Sequence, residues 1–598
     1  MKSLRQNAAV LYFGSNFKTN APQLMGRHSA TEGFLRAFVQ NADVDRFYCY
    51  TMSEQEYRDF HQRIQDFAGK PRQSAWIPFL NNSRLAEPGC LYRPGPDLGF
   101  VAWQRRQHDV RSYSICGITH TTASHDIIDS LARILISPVY PWDALICTSR
   151  AVKAMVMHLL ENWRDYLQQK TGGAIEIAPQ LPIIPLGVDI ANFRDAALAG
   201  ETRAKLRQEH GIGDDDIAVL FFGRLTPVEK ANPAPMYQAL EQAAKRTGKR
   251  FHLIQAGWFS SEAFERDFRS GAEVFAPSVN HLFLDGRIPE IRHNIWYAAD
   301  IFTSLSDNIQ ETFGLTPIEA MAAGLPVIVS DWDGYRDTVR HGIDGFLIPT
   351  LMPYGQGEDI AFRYEATADH YGNYLAVTSQ CVSVDTVACA DAFVTLATNK
   401  ELRLSMGAAG RRRAIETFDW SVVIRAYQEL WGDLAERRRL GSISDPRLKD
   451  QPANPLRDDP FKLFSTYPTH LIDLDDLIAL RPGADANRVK TLRAHRLTGI
   501  GSNLLATDVE IGTLLAYLAR AGTCRVGAAL KQLPRARRDR MYRTLGWMAK
   551  TDLVSITATK SPSGQSSDVS DTTEGEDQAE AGAEAEADAV VNEPNAPA

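Results

Sequence analysis

The chain has 598 residues, 44% of them hydrophobic and 23% charged, which is ordinary globular composition but too long for one core, since single cores rarely grow past ~250–300 residues. A formal net charge of −8 argues against bulk attraction to nucleic acid or to an anionic membrane. No apolar run approaches the ~18–20 residues of a membrane helix, and the seven scattered cysteines (Cys49, Cys90, Cys116, Cys147, Cys381, Cys389, Cys524) lack zinc or thioredoxin spacing, so they read as reduced thiols of a cytoplasmic protein.

The basic start Met1-KSLRQN carries only a short apolar run and no clear cleavage site, so Ala8-AVLYFG reads as a first strand and not as a signal peptide. A polar loop from Ser15 to His28 follows, and Ser29 caps an expected helix, Ala30-TEGFLRAFVQ. A strand, a glycine-bearing loop and a helix open many nucleotide-binding α/β halves, although the G-x-G-x-x-G spacing is absent here. Ser114-ICGITHTTAS and Ala144-LICTSRAV are apolar strands entering polar turns and helices.

Ile217-AVLFFGRL ends in Gly223-Arg224, and Lys230 stands six residues after Arg224. Two cations at a strand end suit a departing diphosphate, whose developing charge they neutralise. Arg250-FHLIQAGWF and His281-LFLDGRIPE are further strands with glycine at their ends. Strands alternating with helices in this way demand parallel, doubly wound sheets, and ligands of such sheets bind outside the carboxyl ends of the strands.

Asp300-IFTSLSD reads as a strand running into a polar loop, and Val327-Ile328-Val329-Ser330 as the next strand. Between them Thr316 is the expected N-cap, Pro317 the first helical position and Glu319 the far half of a capping box, with Gly324 ending the helix. Glu311 and Glu319 then flank a helix start, whose free amides and partial positive charge suit a phosphate.

The run E-x-F-G-L-x-P-x-E-A-M-A-x-G-x-P-V, from Glu311 to Val327, resembles the donor-site motif of family 4 glycosyltransferases, retaining enzymes of the GT-B fold. The resemblance covers about residues 8–437 and implies two doubly wound Rossmann-like domains facing a cleft. It implies that Glu311 meets sugar hydroxyls, that Glu319 meets the nucleotide ribose, and that the backbone of Phe313, Gly314, Leu315 and Thr316 cradles the diphosphate. Arg224 and Lys230 match the family's two cations, which often stand one residue closer together than here. His120, in the G-I-T-H stretch, matches a histidine beside the donor sugar, with His125-Asp126 close enough to leave the choice open. Gly286, Arg287 and Ile288 fall where the family's backbone contacts the base, and the loop holding Gly26, Arg27 and His28 borders acceptor and donor phosphate. Pro182-IIPLGVDIANF resembles the hinge into the second domain. Asp331-Trp332-Asp333 looks like the D-x-D of metal-dependent glycosyltransferases but follows a strand beyond the helix, so it reads as structural. The resemblance implies no metal and no cofactor beyond the sugar nucleotide itself.

The domain reading is then residues 1–186 and 187–440 for the two Rossmann-like halves, the last helix returning to the first half where Phe418-Asp419-Trp420 stands. Residues 441–465 read as a linker. Residues 466–557 read as a small, mainly helical, winged-helix-like domain, better suited to a protein partner than to nucleic acid despite the basic run Arg535 to Lys550. Residues 558–598 form an acidic tail whose composition is that of a disordered segment. The expected activity is transfer of a hexose from a nucleotide-diphosphate sugar to a hydroxyl of a glycan, lipid-linked or protein acceptor, in the cytoplasm, with peripheral membrane association left open. The alternatives are a sugar-nucleotide hydrolase or epimerase of the same fold, and a catalytically silent sugar-nucleotide-sensing regulator acting through residues 466–557.

Overall fold

A computed structural model describes residues 6–17, 26–193, 199–443, 447 and 451–559. The acidic tail expected over 558–598 therefore lies, but for its first two residues, outside the described residues. The chain divides into two compact units, Met1–Asp458 and Asp459–Ala598.

The first unit contains two six-stranded sheets in which every strand pair is parallel. The first comprises β1 (Ala9–Leu11), β2 (Arg46–Thr51), β3 (Gln73–Pro78), β4 (Cys90–Tyr92), β5 (Ser114–Ile118) and β6 (Ala144–Ile146), in the order β3-β2-β1-β4-β5-β6. The second comprises β7 (Ile217–Phe222), β8 (Phe251–Gly257), β9 (Asn280–Asp285), β10 (Ile301–Ser304), β11 (Val327–Ser330) and β12 (Gly345–Ile348), in the order β12-β11-β10-β7-β8-β9. Both are the doubly wound order 3-2-1-4-5-6, counted from the first strand of each sheet. Runs such as Ile-Ala-Val-Leu-Phe-Phe in β7 are apolar at every position because a parallel sheet is covered on both faces. Each sheet accordingly has two buried cores, one per face. The strand order reverses between β1 and β4 and again between β7 and β10, and each reversal opens a crevice at the carboxyl edge.

Six helices of this unit matter for the site: α1 (Gly26–Asn41), α2 (His125–Ala132), α3 (Leu315–Ala322), α4 (Glu358–Glu365), α5 (Tyr371–Gln380) and α6 (Trp420–Leu440). α6 buries Trp420, Val423, Ile424, Tyr427, Trp431 and Leu434 in the same core as Val10 and Tyr92 of the first sheet and Phe34 and Phe38 of α1. The rings of Trp431 and Phe38 meet edge to face, 5.5 Å apart. The two chain crossings between the sheets run side by side: the Val188 amide donates to the Phe418 carbonyl at 2.8 Å, next to a π-turn over Ala414–Phe418.

Two helix starts differ from the sequence expectation. α1 begins at Gly26, so Ser29 lies inside the helix and not at its cap, and Gly26, Arg27 and His28 are its first turn and not a loop. α3 begins at Leu315 with Gly314 as N-cap at φ +84°, so Thr316 lies in the first turn and no Thr316–Glu319 capping box forms. Gly314 turns the chain before threonine can cap it. Of the seven cysteines, all free, only Cys381 is exposed.

The second unit is built on a three-stranded antiparallel sheet, with β15 (Leu477–Leu480) between β16 (Cys524–Arg525) and β17 (Val554–Thr557); β13 (Thr350–Leu351) and β14 (Ser383–Val384) form a small ribbon in the first unit. Helices α7 (Asp508–Ala521), α8 (Val526–Leu530) and α9 (Arg538–Lys550) pack one core on this sheet through Leu514, Leu518, Leu530, Met541, Leu545 and Met548. Thr507 and Glu510 form a full capping box at α7. From α7 on the elements run helix, strand, helix, helix and strand, and the central strand of the sheet, β15, comes before them in the chain. Part of the basic run around α9 is used internally: Arg537 pairs with Glu510 at 3.4 Å, and Arg543 donates to the Leu504 carbonyl at 2.9 Å. Among the described residues no helix is long and apolar enough to cross a membrane.

Candidate donor site

The site lies at the carboxyl edge of the second sheet, where β7 and β10 diverge. Gly223 follows β7 and Gly257 ends its neighbour β8, and a Cβ on Gly257 would stand 1.8 Å from the Gly223 carbonyl oxygen, so only glycine allows this close approach. Arg224 follows at once and its guanidinium pairs with Glu229. The turn from Thr226 to Asn232 is fastened to the loop after β10 at three carbonyls. Asn308 donates to Val228 at 2.6 Å, Gln310 to Glu229 at 3.1 Å and Ser306 to Lys230 at 3.3 Å. These bonds hold the turn and deliver the Lys230 ammonium to the Glu311 carboxylate at 3.1 Å.

Burial alone would push Glu311 up, but Lys230 and the amides of Thr312 and Phe313 outweigh it and hold the carboxyl below its ordinary range. Beyond it, Phe313 is buried in the core, and a Cβ on Gly314 would run into the ring of Tyr335, whose hydroxyl lies 2.8 Å from Ser304 Oγ. Leu315 and Thr316 are half-buried at the start of α3, where first-turn amides have no intrahelical partner. Cations and helix start therefore converge on one crevice.

The first domain closes the other wall with direct hydrogen bonds. The Thr312 hydroxyl donates to the His120 carbonyl, and Thr148 donates to the Thr312 carbonyl at 3.4 Å. Ser149 donates to Asp333 at 3.1 Å, and the Arg150 amide to Asp337 at 2.6 Å. His120 is thus brought to the residue after Glu311. His125 begins α2 instead and stacks on Tyr364 of α4, ring centres 3.7 Å apart.

Gly286, Arg287 and Ile288 follow β9 on the same edge. The Gly286 amide donates to Gly257 at 3.0 Å, Arg287 pairs with Asp285 at 2.8 Å, and Ile288 is exposed. The helix Pro289–Asn294 comes next, and its Arg292 faces Glu319, partly offsetting the burial that pushes that carboxyl up to about 7. In the Asp331-Trp332-Asp333 run, Asp331 pairs with Arg336 at 3.2 Å, Trp332 donates to the Asn308 carbonyl at 3.0 Å, and Asp333 accepts from Ser149. Gly26, Arg27 and His28 open α1, and their side chains lie outside the described residues.

Sequence reasoning did not single out Glu229, Asp307, Tyr335, Tyr364 or Tyr371. Glu229 could have been found, because it stands between the two cations. The others acquire meaning only from contacts across the fold.

Asp307, Glu319 and Asp333 are each pushed up to about 7, in every case first by burial; for Asp333 the neighbouring Glu311 charge adds to it. A folded carboxyl that holds its proton more tightly than the unfolded chain stabilises the fold below its unfolded pKa, and that stability is lost as pH rises through about 7. Asp307→Asn removes one such titration. Its gain in stability over the parent is expected to be larger at pH 8 than at pH 5 by roughly 2–3 kcal/mol. Denaturant unfolding at the two pH values measures this, and a pH-independent difference contradicts it.

Residues 202–356 match the family model described as Glycosyl transferases group 1. The D-inositol 3-phosphate glycosyltransferase of Nocardia farcinica is 30% identical over 172 residues, 28% of this chain and 36% of that protein. Its namesake in Corynebacterium glutamicum is 27% identical over 258 residues, 42% of this chain and 52% of that protein. The chain thus spans about a third to a half of the length of these curated relatives. Among solved structures, Anabaena Alr3699/HepE in complex with UDP is 15% identical, with a TM-score of 0.46 over 68% of this chain and 96% of that one. The second Rossmann-like domain, which carries Arg224, Lys230, Glu311 and Glu319, is where this chain bears the glycosyl transferases group 1 sequence.

Proposed function

We propose that the protein is a retaining glycosyltransferase that moves a hexose from a nucleotide-diphosphate sugar to an acceptor hydroxyl. The observation that carries this reading is the convergence of Arg224, Lys230 and the start of α3 on the crevice between β7 and β10, each cation resting on an acid that a diphosphate can replace. The family match over the same residues and the names of the curated relatives support it.

In this reading the nucleotide lies along Gly286–Ile288 with its ribose at Glu319, and the diphosphate sits on Arg224, Lys230 and the amides from Phe313 to Thr316. Glu311 orients the sugar and His120 shapes the pocket beside it. The acceptor oxygen attacks the anomeric carbon on the face from which the nucleotide leaves. The bond to the diphosphate breaks, and a diphosphate oxygen takes the acceptor's proton. The cations and amides stabilise the charge that develops there, the effect that usually contributes most to such a step. No metal is required in this scheme.

A panel of nucleotide sugars, tested by thermal shift without added metal, identifies the donor. Ligand at about a hundred times its dissociation constant stabilises the fold by ~2.7 kcal/mol. With that donor, Arg224→Ala is expected to lower turnover at least tenfold, since one charge-assisted hydrogen bond contributes roughly 1.5–3 kcal/mol. Turnover equal to the parent's refutes the diphosphate clamp. A glycosylated product formed on adding acceptor separates transfer from hydrolysis or epimerisation.

A further inference from the structure

Arg224 is already occupied: its guanidinium pairs with Glu229 and is not presented bare to the crevice. If a diphosphate takes Arg224, Glu229 loses its counter-ion. The hairpin formed by α4 and α5 lies against this same turn. A Cβ on Gly372 would stand 3.6 Å from Val228 Cγ1, so this part of the hairpin lies against the side chain of the residue before Glu229. The hydroxyl of the adjacent Tyr371 is buried and has no hydrogen-bond partner among the described residues. The hairpin is held where it is. Tyr364 of α4 is sandwiched between His125 of the first domain, at 3.7 Å, and Tyr374 of α5, at 4.8 Å. Burial first, with the nearby Tyr364 phenol and the Glu229 carboxylate adding to it, pushes the Tyr371 phenol up, so it stays a proton donor at any physiological pH.

A buried hydroxyl without a partner is costly, and native proteins rarely keep one unless another state satisfies it. We propose, on the reading of the site given above, that Glu229 holds the place of the diphosphate on Arg224, and that the Tyr371 hydroxyl receives Glu229 when the diphosphate arrives. Before binding, Arg224 is paired and Tyr371 is not. Afterwards Arg224 donates to a phosphate oxygen and Tyr371 O–H donates to the Glu229 carboxylate. Ligand binding then strands no carboxylate, and the orphaned hydroxyl is satisfied in the same step. Tyr371 is a positioning residue that acts through Glu229. The device responds to a ligand able to take Arg224, that is, to a nucleoside diphosphate, and is indifferent to a nucleoside monophosphate too short to reach it.

The test is a double-mutant cycle in the full chain. Binding of UDP, GDP and ADP, and of UMP, GMP and AMP, is measured by calorimetry for the parent, Glu229→Gln, Tyr371→Phe and the double variant. For the diphosphate that binds, Tyr371→Phe is expected to weaken affinity about tenfold, the scale of one hydrogen bond to a charged group. Glu229→Gln is expected to tighten it severalfold, because Arg224 no longer leaves a carboxylate. In the Glu229→Gln background the effect of Tyr371→Phe should vanish, and the matching monophosphate should bind all four proteins alike. Equal effects of Tyr371→Phe in both backgrounds, or equal changes with mono- and diphosphate, overturn the exchange while leaving the site reading intact. Failure of all three diphosphates to bind the parent overturns both.

Discussion

Lys230→Ala is expected to lose both stability and turnover, and the two losses have different origins. The Glu311 side chain is only 13% exposed, and its carboxylate stays ionised because Lys230 lies 3.1 Å away. Removing one partner of such a pair leaves a buried charge uncompensated. Breaking a fully buried pair costs about 3–5 kcal/mol, and the half-exposed lysine end reduces this to about 2–4 kcal/mol. On the function proposed above, turnover falls further, by about a hundredfold or more, because the same ammonium would meet the leaving diphosphate. The double variant Lys230→Ala/Glu311→Gln separates these effects. Neutralising the stranded acid should restore most of the stability, read by denaturant unfolding, and none of the turnover. A double variant as unstable as the single one contradicts the ion-pair account.

Gly314→Ala is expected to be the more damaging change. The residue sits at φ +84°, and a Cβ there would stand 1.9 Å from Tyr335 Cε1. Tyr335 cannot retreat, since it is buried in the core and tied to Ser304. The start of α3 must therefore shift, taking with it the amides from Phe313 to Thr316 that the diphosphate reading needs. Loss of several kcal/mol is expected, the range of strained, overpacked substitutions. Trimming the ring in Gly314→Ala/Tyr335→Ala should relieve the overlap, but the backbone strain of about 1–2 kcal/mol for a left-handed alanine should persist. Unfolding midpoints and nucleotide binding measure both parts. An alanine variant with the parent's stability would show that Gly314 is not constrained as described.

The same two residues show what the sequence carried and what it did not. Apolar runs such as that of Ile217–Phe222 announce strands covered on both faces, and their alternation with helices announces the doubly wound class, because both depend only on local pattern. Arg224 and Lys230 are legible as cations after a strand, and Glu311 as an acid ahead of a helix start. Their pairing is not, since Glu311 reaches Lys230 only through the fold. The start of α3 was read late because Thr316-Pro317 is a good local cap signal. The ring of Tyr335 under Gly314, which fixes the true start, leaves no local trace. Ser29 misled for the same reason: a favourable cap residue does not stop a helix that begins earlier. The hairpin of α4 and α5 remained silent, because Tyr364 gains its role from His125, on the other domain.

The paired crossings at Val188 and Phe418 govern how this cleft can move. A single covalent tether would let the two sheets swivel freely, whereas two tethers bonded side by side work like a door hinge with two pins. Rotation about the line through them is permitted and twisting across it is barred. A rotation that kept the Val188–Phe418 bond would have to break the bonds that Thr148, Ser149 and Arg150 make to the second sheet's loops. With α6 anchored by its tryptophans in the first core, such a rotation would be confined to one arc, along which the His120 carbonyl and Thr312 would part and meet in the same register.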